Sequence, residues 1–286
     1  MSQYEKNIIL VPIDFTPVTR CALDHAIELC KLLKHEICML HIVEFTSTDQ
    51  QVQKAQELLN KLAQEVSGSA NIKIDGIVKK GTIFTDIGSV AKEINAYLII
   101  MGTHGTQGLQ SVFGNRALKV ITNSIVPFVV VQKKMQTTIS HGFKNIVLPL
   151  NLSKDSKQKL GWAIYIAKMF GSTINIITTH ETEGFLLSKT KANLNLAKRL
   201  LLENGILYSV KVADKKAKSF SDQTIEHAHH INANLIVVMT NEDKELREFL
   251  IGSFEEKLIN NEYQIPVMCV NPRKDLDIAQ IIERVS

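Results

Sequence analysis

The amino-acid sequence predicts an α/β protein made of two doubly wound domains, each built on a five-stranded parallel sheet. Three observations support this. The chain has 286 residues, enough for about two domains of roughly 150 residues each. A pattern of alternating strands and helices occurs in it twice, as expected for parallel sheets. The first strands of the pattern are continuous apolar runs, which is typical of strands buried on both faces.

An internal repeat defines the two domains. The stretch Asn7–Thr16 returns as Asn145–Ser153, so that Pro12 corresponds to Pro149 at an offset of 137 residues. Two further pairs of matching stretches follow in the same order: 95–100 with 232–237, and 125–129 with 264–268. Matches in one order indicate duplication of a whole domain. They exclude a solenoid, whose repeats span roughly 20 to 50 residues.

The elements of the first copy can be assigned in chain order. The apolar run 7–12 predicts the first strand, and Thr16-Pro17 supplies an N-cap and a first-turn proline for the next helix. Apolar residues spaced three and four apart predict three helices. These helical stripes run over 22–33, 52–66 and 83–94, the other strands over 37–43, 72–78, 98–101 and 127–131, and a short helix lies around 116–123.

The second copy repeats this pattern from Asn145 to Val270. The polar stretch Gln132–Gly142 separates the copies and is the expected domain boundary. After the second copy, Ile278, Ile281, Ile282 and Val285 lie at helical spacing and predict an amphipathic C-terminal helix.

Composition restricts the classes of function. The chain is 45% hydrophobic and 22% charged, as in ordinary globular proteins. No apolar run approaches the roughly 18 residues of a membrane helix, and no signal segment is recognisable at the N-terminus, so a cytoplasmic location is expected. The formal net charge of +4 is spread over short clusters without interleaved aromatic residues. Nucleic-acid binding is therefore not expected.

The sequence offers no clear metal or nucleophile site. The four cysteines lack Cys-x-x-Cys spacing and fit small buried hydrophobes. His227, His229 and His230 lie close together, but no cysteine or carboxylate completes a metal-binding set. His104 lies in a candidate pocket without an obvious nucleophile or orienting partner nearby. We therefore expect no bound metal ion and no catalytic residue.

Two loops of the first copy carry residues suited to ligand binding. Ligands of open doubly wound sheets bind outside the carboxyl ends of the strands, where the strand order reverses. The carboxylate in Pro12-Ile13-Asp14 can accept hydrogen bonds from ribose hydroxyls. The loop Gly102–Gly108, followed by Gly114-Asn115-Arg116 at a helix start, suits phosphate because glycines permit close backbone approach. The spacing matches no P-loop, so tight turns remain the alternative explanation.

The whole chain resembles a tandem universal stress protein. The resemblance rests on Val11-Pro12-Ile13-Asp14, on the stretch Leu98–Gly105 and on the stretch Val126–Val131. It implies two domains of that family, over 1–133 and 143–272, and a tail over 273–286. It also implies a Rossmann-like fold like that of the adenine-nucleotide alpha-hydrolases, and a stress-response protein that binds ATP or another adenine nucleotide, with or without Mg²⁺.

The resemblance also implies a set of nucleotide-binding residues. The ATP-binding members of the family carry Gly-x2-Gly-x9-Gly-Ser/Thr after the fourth strand. Here the glycines are Gly102, Gly105 and Gly114; the second spacer is one residue shorter, and Asn115 replaces Ser/Thr. By position, Asp14 would hold ribose and the Val43 backbone would meet adenine. The full expected set is Pro12, Ile13, Asp14, Val43, Met101, Gly102, His104, Gly105, Gly114, Asn115 and Arg116.

The second copy departs from this pattern. Asn151 replaces the carboxylate of Asp14, and Met239-Thr240-Asn241-Glu242 replaces Gly-Thr-His-Gly. Glu242 and Asp243 would repel phosphates. The second domain is therefore predicted to have a degenerate site that binds no nucleotide. Its expected role is structural, in pairing with the first domain or in forming a dimer surface.

Three functions remain open at this stage. The favoured one is a nucleotide-binding stress-response protein. The alternatives are a slow ATPase or nucleotidyl transferase on the same fold, and a dimerising scaffold that binds no nucleotide. The sequence shows no second acidic residue clearly placed to hold Mg²⁺ for phosphoryl transfer. This favours binding, with weak ATP hydrolysis at most. The expected partners are an adenine nucleotide, the other domain and a second copy of the chain, but neither nucleic acid nor a membrane.

Overall fold

The repeated apolar runs form the first strands of two similar parallel sheets in the computed structural model. The structure describes residues 7–103, 112–132, 142–150, 156–182, 184–214, 218–240, 254–273, 275 and 277–283. The chain divides into two units, Met1–Ser140 and His141–Ser286, called the first and second domains below.

The first domain alternates strands and helices as predicted. Its elements are β1 (Ile8–Pro12), α1 (Pro17–Leu33), β2 (Glu36–Val43), α2 (Asp49–Ala70), β3 (Ile74–Lys80), α3 (Ile83–Glu93), β4 (Ala96–Thr103), α4 (Val112–Ile121) and β5 (Phe128–Gln132). The strands are all parallel, in the order β3-β2-β1-β4-β5. The order reverses at β1, between β2 and β4, which is where such sheets bind ligands.

The second domain has the same topology. Its elements are β6 (Asn145–Leu150), α5 (Ser156–Phe170), β7 (Thr173–Thr178), α6 (Gly184–Glu203), β8 (Tyr208–Val212), α7 (Phe220–His230), β9 (Leu235–Met239), α8 (Glu255–Ile259), β10 (Val267–Val270) and α9 (Ile278–Ile282). The strand order is β8-β7-β6-β9-β10, again with parallel pairs. The predicted fold class is confirmed in both domains.

Burial of the central strands explains their continuous apolar sequences. In the first domain Ile9, Leu10, Ile99 and Ile100 are fully buried, because helices cover both faces of a doubly wound sheet and leave no solvated side. Local hydrogen bonds define where the helices between the strands begin and end. α2, for example, begins at a capping box formed by Thr48 with Gln51, which satisfies backbone N–H groups that a helix start otherwise leaves unpaired.

The start of α1 differs from the prediction in one respect. Thr16 occupies the N-cap position and Pro17 follows it, but the Thr16 side chain caps no helical N–H. Instead its hydroxyl and its backbone N–H both donate to one carboxylate oxygen of Asp14, at 2.6 and 2.9 Å. The hydrogen bond from the Thr16 hydroxyl to the ionised Asp14 carboxylate is stronger than a bond between this hydroxyl and a neutral helical N–H, because hydrogen bonds to ionised groups are the stronger ones.

The segment after β10 packs on the second domain. Gln158 of α5 bonds the backbone of Arg273 through both its amide nitrogen and its amide oxygen. The short helix α9 then lies against α5, where Gly161 leaves room for Ile278 and Ile281. Ile281 is 1% exposed. Within the described part of the chain, none of the helices combines the length and apolarity needed to cross a bilayer.

Candidate functional site

A cavity of about 190 Å³ opens in the first domain at the point where the strand order reverses. The end of β1 with the loop after it, the end of β2 and the end of β4 each contribute three residues to its wall. Residues of α1, α3 and α4, all apolar except Thr19, complete it. Five predicted site residues lie in this wall: Pro12, Ile13, Asp14, Met101 and Gly102.

Two hydrogen bonds attach the loop after β1 to the end of β2. The Ile13 N–H donates to the Leu40 carbonyl at 2.8 Å, and the Ile13 carbonyl lies 2.7 Å from His41 Nδ1. A carbonyl oxygen only accepts, so Nδ1 carries the proton. The ring of Phe15 lies 4.9 Å from the His41 ring. These contacts fix the position of Asp14 at the mouth of the cavity.

Asp14 is exposed and lies two residues after the end of β1. Its bonds with Thr16 form a tight turn, and the residue between them, Phe15, adopts a left-handed backbone conformation with φ of 63°. Such a conformation is costly for a residue with a β-carbon. The surrounding bonds therefore impose a geometry at Asp14 that this sequence would not adopt spontaneously.

The inner wall holds a polar group that has no partner among the described residues. Thr103, at the end of β4, is 8% exposed, and its hydroxyl has no hydrogen-bond partner within the described part of the chain. Burying an unpaired hydroxyl costs free energy. By contrast, the hydroxyl of Thr19, on the α1 side of the wall, donates to the Thr16 carbonyl at 3.0 Å. Thr103 is therefore the wall residue that a polar ligand atom would most stabilise.

Gly102 serves the packing of α1. A β-carbon at this position would lie 2.5 Å from the carbonyl oxygen of Val18, so no larger residue fits unless α1 moves away. The sequence had suggested a different reason, close approach of a phosphate. The structure adds a second reason, the close approach of a helix backbone to a strand.

The remaining predicted residues are not among the described residues of this wall. Val43 ends β2 one residue beyond the wall residue Ile42, and its carbonyl accepts from the Gly81 N–H at 2.8 Å. His104 and Gly105 lie outside the described residues. Gly114, Asn115 and Arg116 fall within the first half of α4, so α4 begins before the glycine rather than after it.

Sequence reasoning missed the polar wall residues His41 and Thr103 and the apolar residues on α3 and α4. A histidine inside the apolar run 37–43 is a signal that could have identified His41. Ile83, Ile87 and Val120 had been assigned to helical stripes or to a helix. Periodicity shows which face of a helix is buried, but not that part of this face borders a cavity.

A buried thiol near this region is unreactive. Cys21 of α1 donates to the Gln132 carbonyl at 3.1 Å. Burial, with a smaller contribution from the charge of Asp24, raises the pKa of the Cys21 thiol to about 11. The thiolate is the nucleophilic form of cysteine, so Cys21 does not supply a nucleophile at neutral pH.

The second domain has a buried cation near the corresponding place. Lys159, which the repeat offset matches to Ala22, is 3% exposed, and its ammonium donates to the Pro149 carbonyl at the end of β6. Burial lowers the pKa of Lys159 to about 8, opposed by the nearby charge of Glu255. Burial in turn raises the pKa of Glu255. Met239 is buried where the first domain has Gly102.

The rest of the second-domain site cannot be compared in the same way. Asn151 and the stretch 241–253, which includes Glu242 and Asp243, lie outside the described residues. The prediction that the second domain binds no nucleotide therefore remains a prediction.

Comparison with known proteins identifies relatives across the chain. The model of the universal stress protein family matches residues 6–132 and again 142–271. A universal stress protein of Methanocaldococcus jannaschii is 28% identical over 138 residues, which cover 44% of this chain and 81% of that protein.

A solved structure that matches nearly the whole chain has the same fold. The crystal structure of a universal stress protein from Archaeoglobus fulgidus DSM 4304 matches with a TM-score of 0.75 and 22% identity, over 94% of this chain and 99% of that one. Another structure, of the universal stress protein from Archaeoglobus fulgidus in complex with dAMP, is 19% identical and covers 45% of this chain and 98% of that one, with a TM-score of 0.36. The dAMP is a ligand of that protein.

Proposed function

The chain belongs to the universal stress protein family, and on this premise we propose that its first domain binds an adenine nucleotide. The observation that carries the proposal is the cavity at the reversal of strand order, whose largely apolar wall leads to the carboxylate of Asp14. Apolar walls with a few placed polar groups are typical of small-molecule sites.

The cavity suits the base of a nucleotide. Leu40, Ile87 and Val120 contribute apolar surface to its wall, against which a planar ring can be buried. Its volume of about 190 Å³ is below the roughly 300–1,000 Å³ of drug-sized pockets. We therefore assign the base to the cavity and the ribose to its mouth, where Asp14 accepts from ribose hydroxyls.

The phosphates are assigned to the loop after β4 and to the start of α4, the region of Gly105, Gly114, Asn115 and Arg116. The first four N–H groups of a helix lack intrahelical acceptors, and α4 begins at Val112. Arg116 follows in the first half of α4, and arginine is a bidentate donor for phosphate.

Binding is a better proposal than turnover. Asp14 is the one carboxylate in the described wall of the cavity, whereas phosphoryl transfer places acidic residues around Mg²⁺. We therefore propose a nucleotide-binding stress protein. No observation favours the slow ATPase, the nucleotidyl transferase or the scaffold over it.

The test measures nucleotide binding by the full chain. Heating the purified protein should release bound adenine nucleotide, and calorimetry should give one site per chain. Asp14→Asn retains an oxygen for the Thr16 N–H but removes the charge. It should weaken binding by roughly tenfold or more, because a charge-assisted hydrogen bond contributes about 1.5–3 kcal/mol. Asn151→Ala, at the matching position of the second copy, is the control and should change nothing. No binding, or unchanged affinity in Asp14→Asn and Asp14→Ala, would refute the proposal.

A further inference from the structure

The outer edge of the first sheet is covered by the domain's own helix. Gln56 of α2 donates to the Gly76 carbonyl at 3.1 Å and accepts from the Val78 N–H at 3.3 Å. Both groups belong to β3 and point away from β2. Leu59, one turn along α2, lies over Gly76, where a β-carbon would be only 2.9 Å from it. The absence of a side chain at Gly76 thus lets α2 pack on β3.

The second domain lacks this cover. The strand registers match Ile37 with Ile74 and Ile174 with Tyr208, so Val210 takes the place of Gly76. A valine there would clash with a helix packed as closely as α2 is. α6, the counterpart of α2, is mostly exposed and has only two buried residues in the described part, Ala197 and Leu201. Two apolar side chains of β8 are correspondingly exposed, Val210 by 36% and Val212 by 53%.

The backbone of β8 has unpaired groups along the same edge. The Ile174 N–H bonds the Leu207 carbonyl, and the Ala213 N–H bonds the Thr178 carbonyl. Since alternate residues of a strand bond to one side, the N–H and C=O groups of Tyr208, Val210 and Val212 point away from β7. Among the described residues, β8 pairs with β7 alone. An edge of this kind is a template for another strand.

The segment that holds α6 and β8 carries a net positive charge, with Lys211 on β8 itself. The sequence from Gly184 to Asp214 contains five Lys or Arg and two Asp or Glu. Within the described part of the chain, four of those cations form no ion pair: Lys189, Lys191, Lys198 and Lys211. At the first-domain edge, Lys80 pairs with Asp49 and Lys73 with Asp75. Like charge disfavours a second copy at the β8 edge, while an acidic strand is complementary to it.

We propose that β8 docks an extended acidic segment of a partner protein, which adds to the second sheet as a further strand. The two faces of β8 define its chemistry. Val210 and Val212 share one face, and Lys211 points to the other, because side chains alternate along a strand. A segment in which valine or isoleucine alternates with aspartate or glutamate matches both faces. Its backbone supplies the missing hydrogen bonds, as in other cases of β-strand addition.

The test uses a short labelled peptide of alternating valine and glutamate with the full-length protein. Anisotropy should show binding that weakens with added salt, and a peptide of alternating valine and lysine should not bind. Val210→Pro removes only an N–H that points away from β7. This substitution should weaken peptide binding by roughly fivefold or more, because the complex loses about one hydrogen bond. Lys211→Glu should also weaken binding, whereas the control Lys168→Glu, at an exposed lysine of α5, should leave it unchanged.

Hydrogen exchange tests the same contact without a substitution. The amides of Val210 and Val212 should exchange quickly in the free protein and become protected by the acidic peptide. This measurement decides the question if Val210→Pro does not fold. The proposal is overturned if the acidic peptide does not bind, if the two peptides bind alike, or if these amides stay unprotected. It is also overturned if light scattering shows a dimer that Val210→Pro separates, because the occupant is then a second copy.

Discussion

Lys159 offers a quantitative test of burial in the second domain. Its ammonium is enclosed between the Pro149 carbonyl and the charge of Glu255, and burial lowers its pKa from 10.5 to about 8. The unfolded chain binds this proton up to a pH near 10.5, but the folded domain releases it near 8. The folded state is therefore penalised below pH 8, and its stability rises between pH 8 and 10.5.

The magnitude follows from the difference between the two pKa values. One pKa unit corresponds to about 1.36 kcal/mol, so the shift from 10.5 to about 8 amounts to roughly 3 kcal/mol. Lys159→Met keeps the apolar stem and removes the titration. The free energy of unfolding of the wild type, relative to Lys159→Met, should rise by up to this amount between pH 8 and 10.5. Contributions from tyrosines and cysteines are common to both proteins and cancel.

Urea denaturation followed by tryptophan fluorescence suits this measurement. The chain has one tryptophan, Trp162, which lies on α5 three residues from Lys159 and is 6% exposed. Lys168→Met, at the exposed lysine on the same helix, is the matched control and should follow the wild type at every pH. Parallel pH profiles for the wild type and Lys159→Met would show that Lys159 is not held in its neutral form, and would refute the reasoning.

Two further predictions concern packing in the first domain. Gly102→Ala places a β-carbon 2.5 Å from the Val18 carbonyl oxygen and should destabilise the domain by about 1–3 kcal/mol in thermal unfolding. The control Gly68→Ala, in an open position on α2, should instead stabilise the domain by up to about 1 kcal/mol, because alanine favours the helix over glycine. If both substitutions had the same sign, the close contact would not explain the glycine. Gln56→Ala removes the side chain that hydrogen-bonds Gly76 and Val78. The Val78 amide should therefore exchange its hydrogen faster in a hydrogen-exchange measurement. An unchanged exchange rate would mean that another group protects this edge.

The sequence predicted the elements well because each buried element leaves a periodic pattern. It predicted their ends less well, since these depend on single contacts. The predicted strand 72–78 begins at Ile74 in the structure. Asn71 ends α2 in a left-handed conformation, and the Ser67 hydroxyl donates to the Ile72 carbonyl at 2.7 Å. Ile72 is therefore held at the exit of the helix, which an apolar pattern does not reveal.

The site was only partly predictable, for a related reason. Asp14 and Gly102 were recognisable from short motifs in the loops. The cavity itself depends on how α3 and α4 approach the sheet, and thus on tertiary packing that no local pattern encodes. At Gly102 the motif did not reveal the close contact with Val18, because that neighbour belongs to a different element.

Comparison of the two copies shows where the domains differ. At three matched positions a small residue of the first domain is replaced by a larger one: Ala22 by Lys159, Gly76 by Val210 and Gly102 by Met239. The central strands β1 and β4 of the first domain and β6 and β9 of the second all keep buried apolar residues, so the fold depends on side chains that both copies share. The first domain's helix contacts at β3 and β4 depend instead on missing side chains, since α2 and α1 approach the glycines there. A substitution at such a position removes a close approach without removing a core contact. Two copies of a domain can therefore differ in the covering of an edge and in close helix contacts while both sheets remain intact.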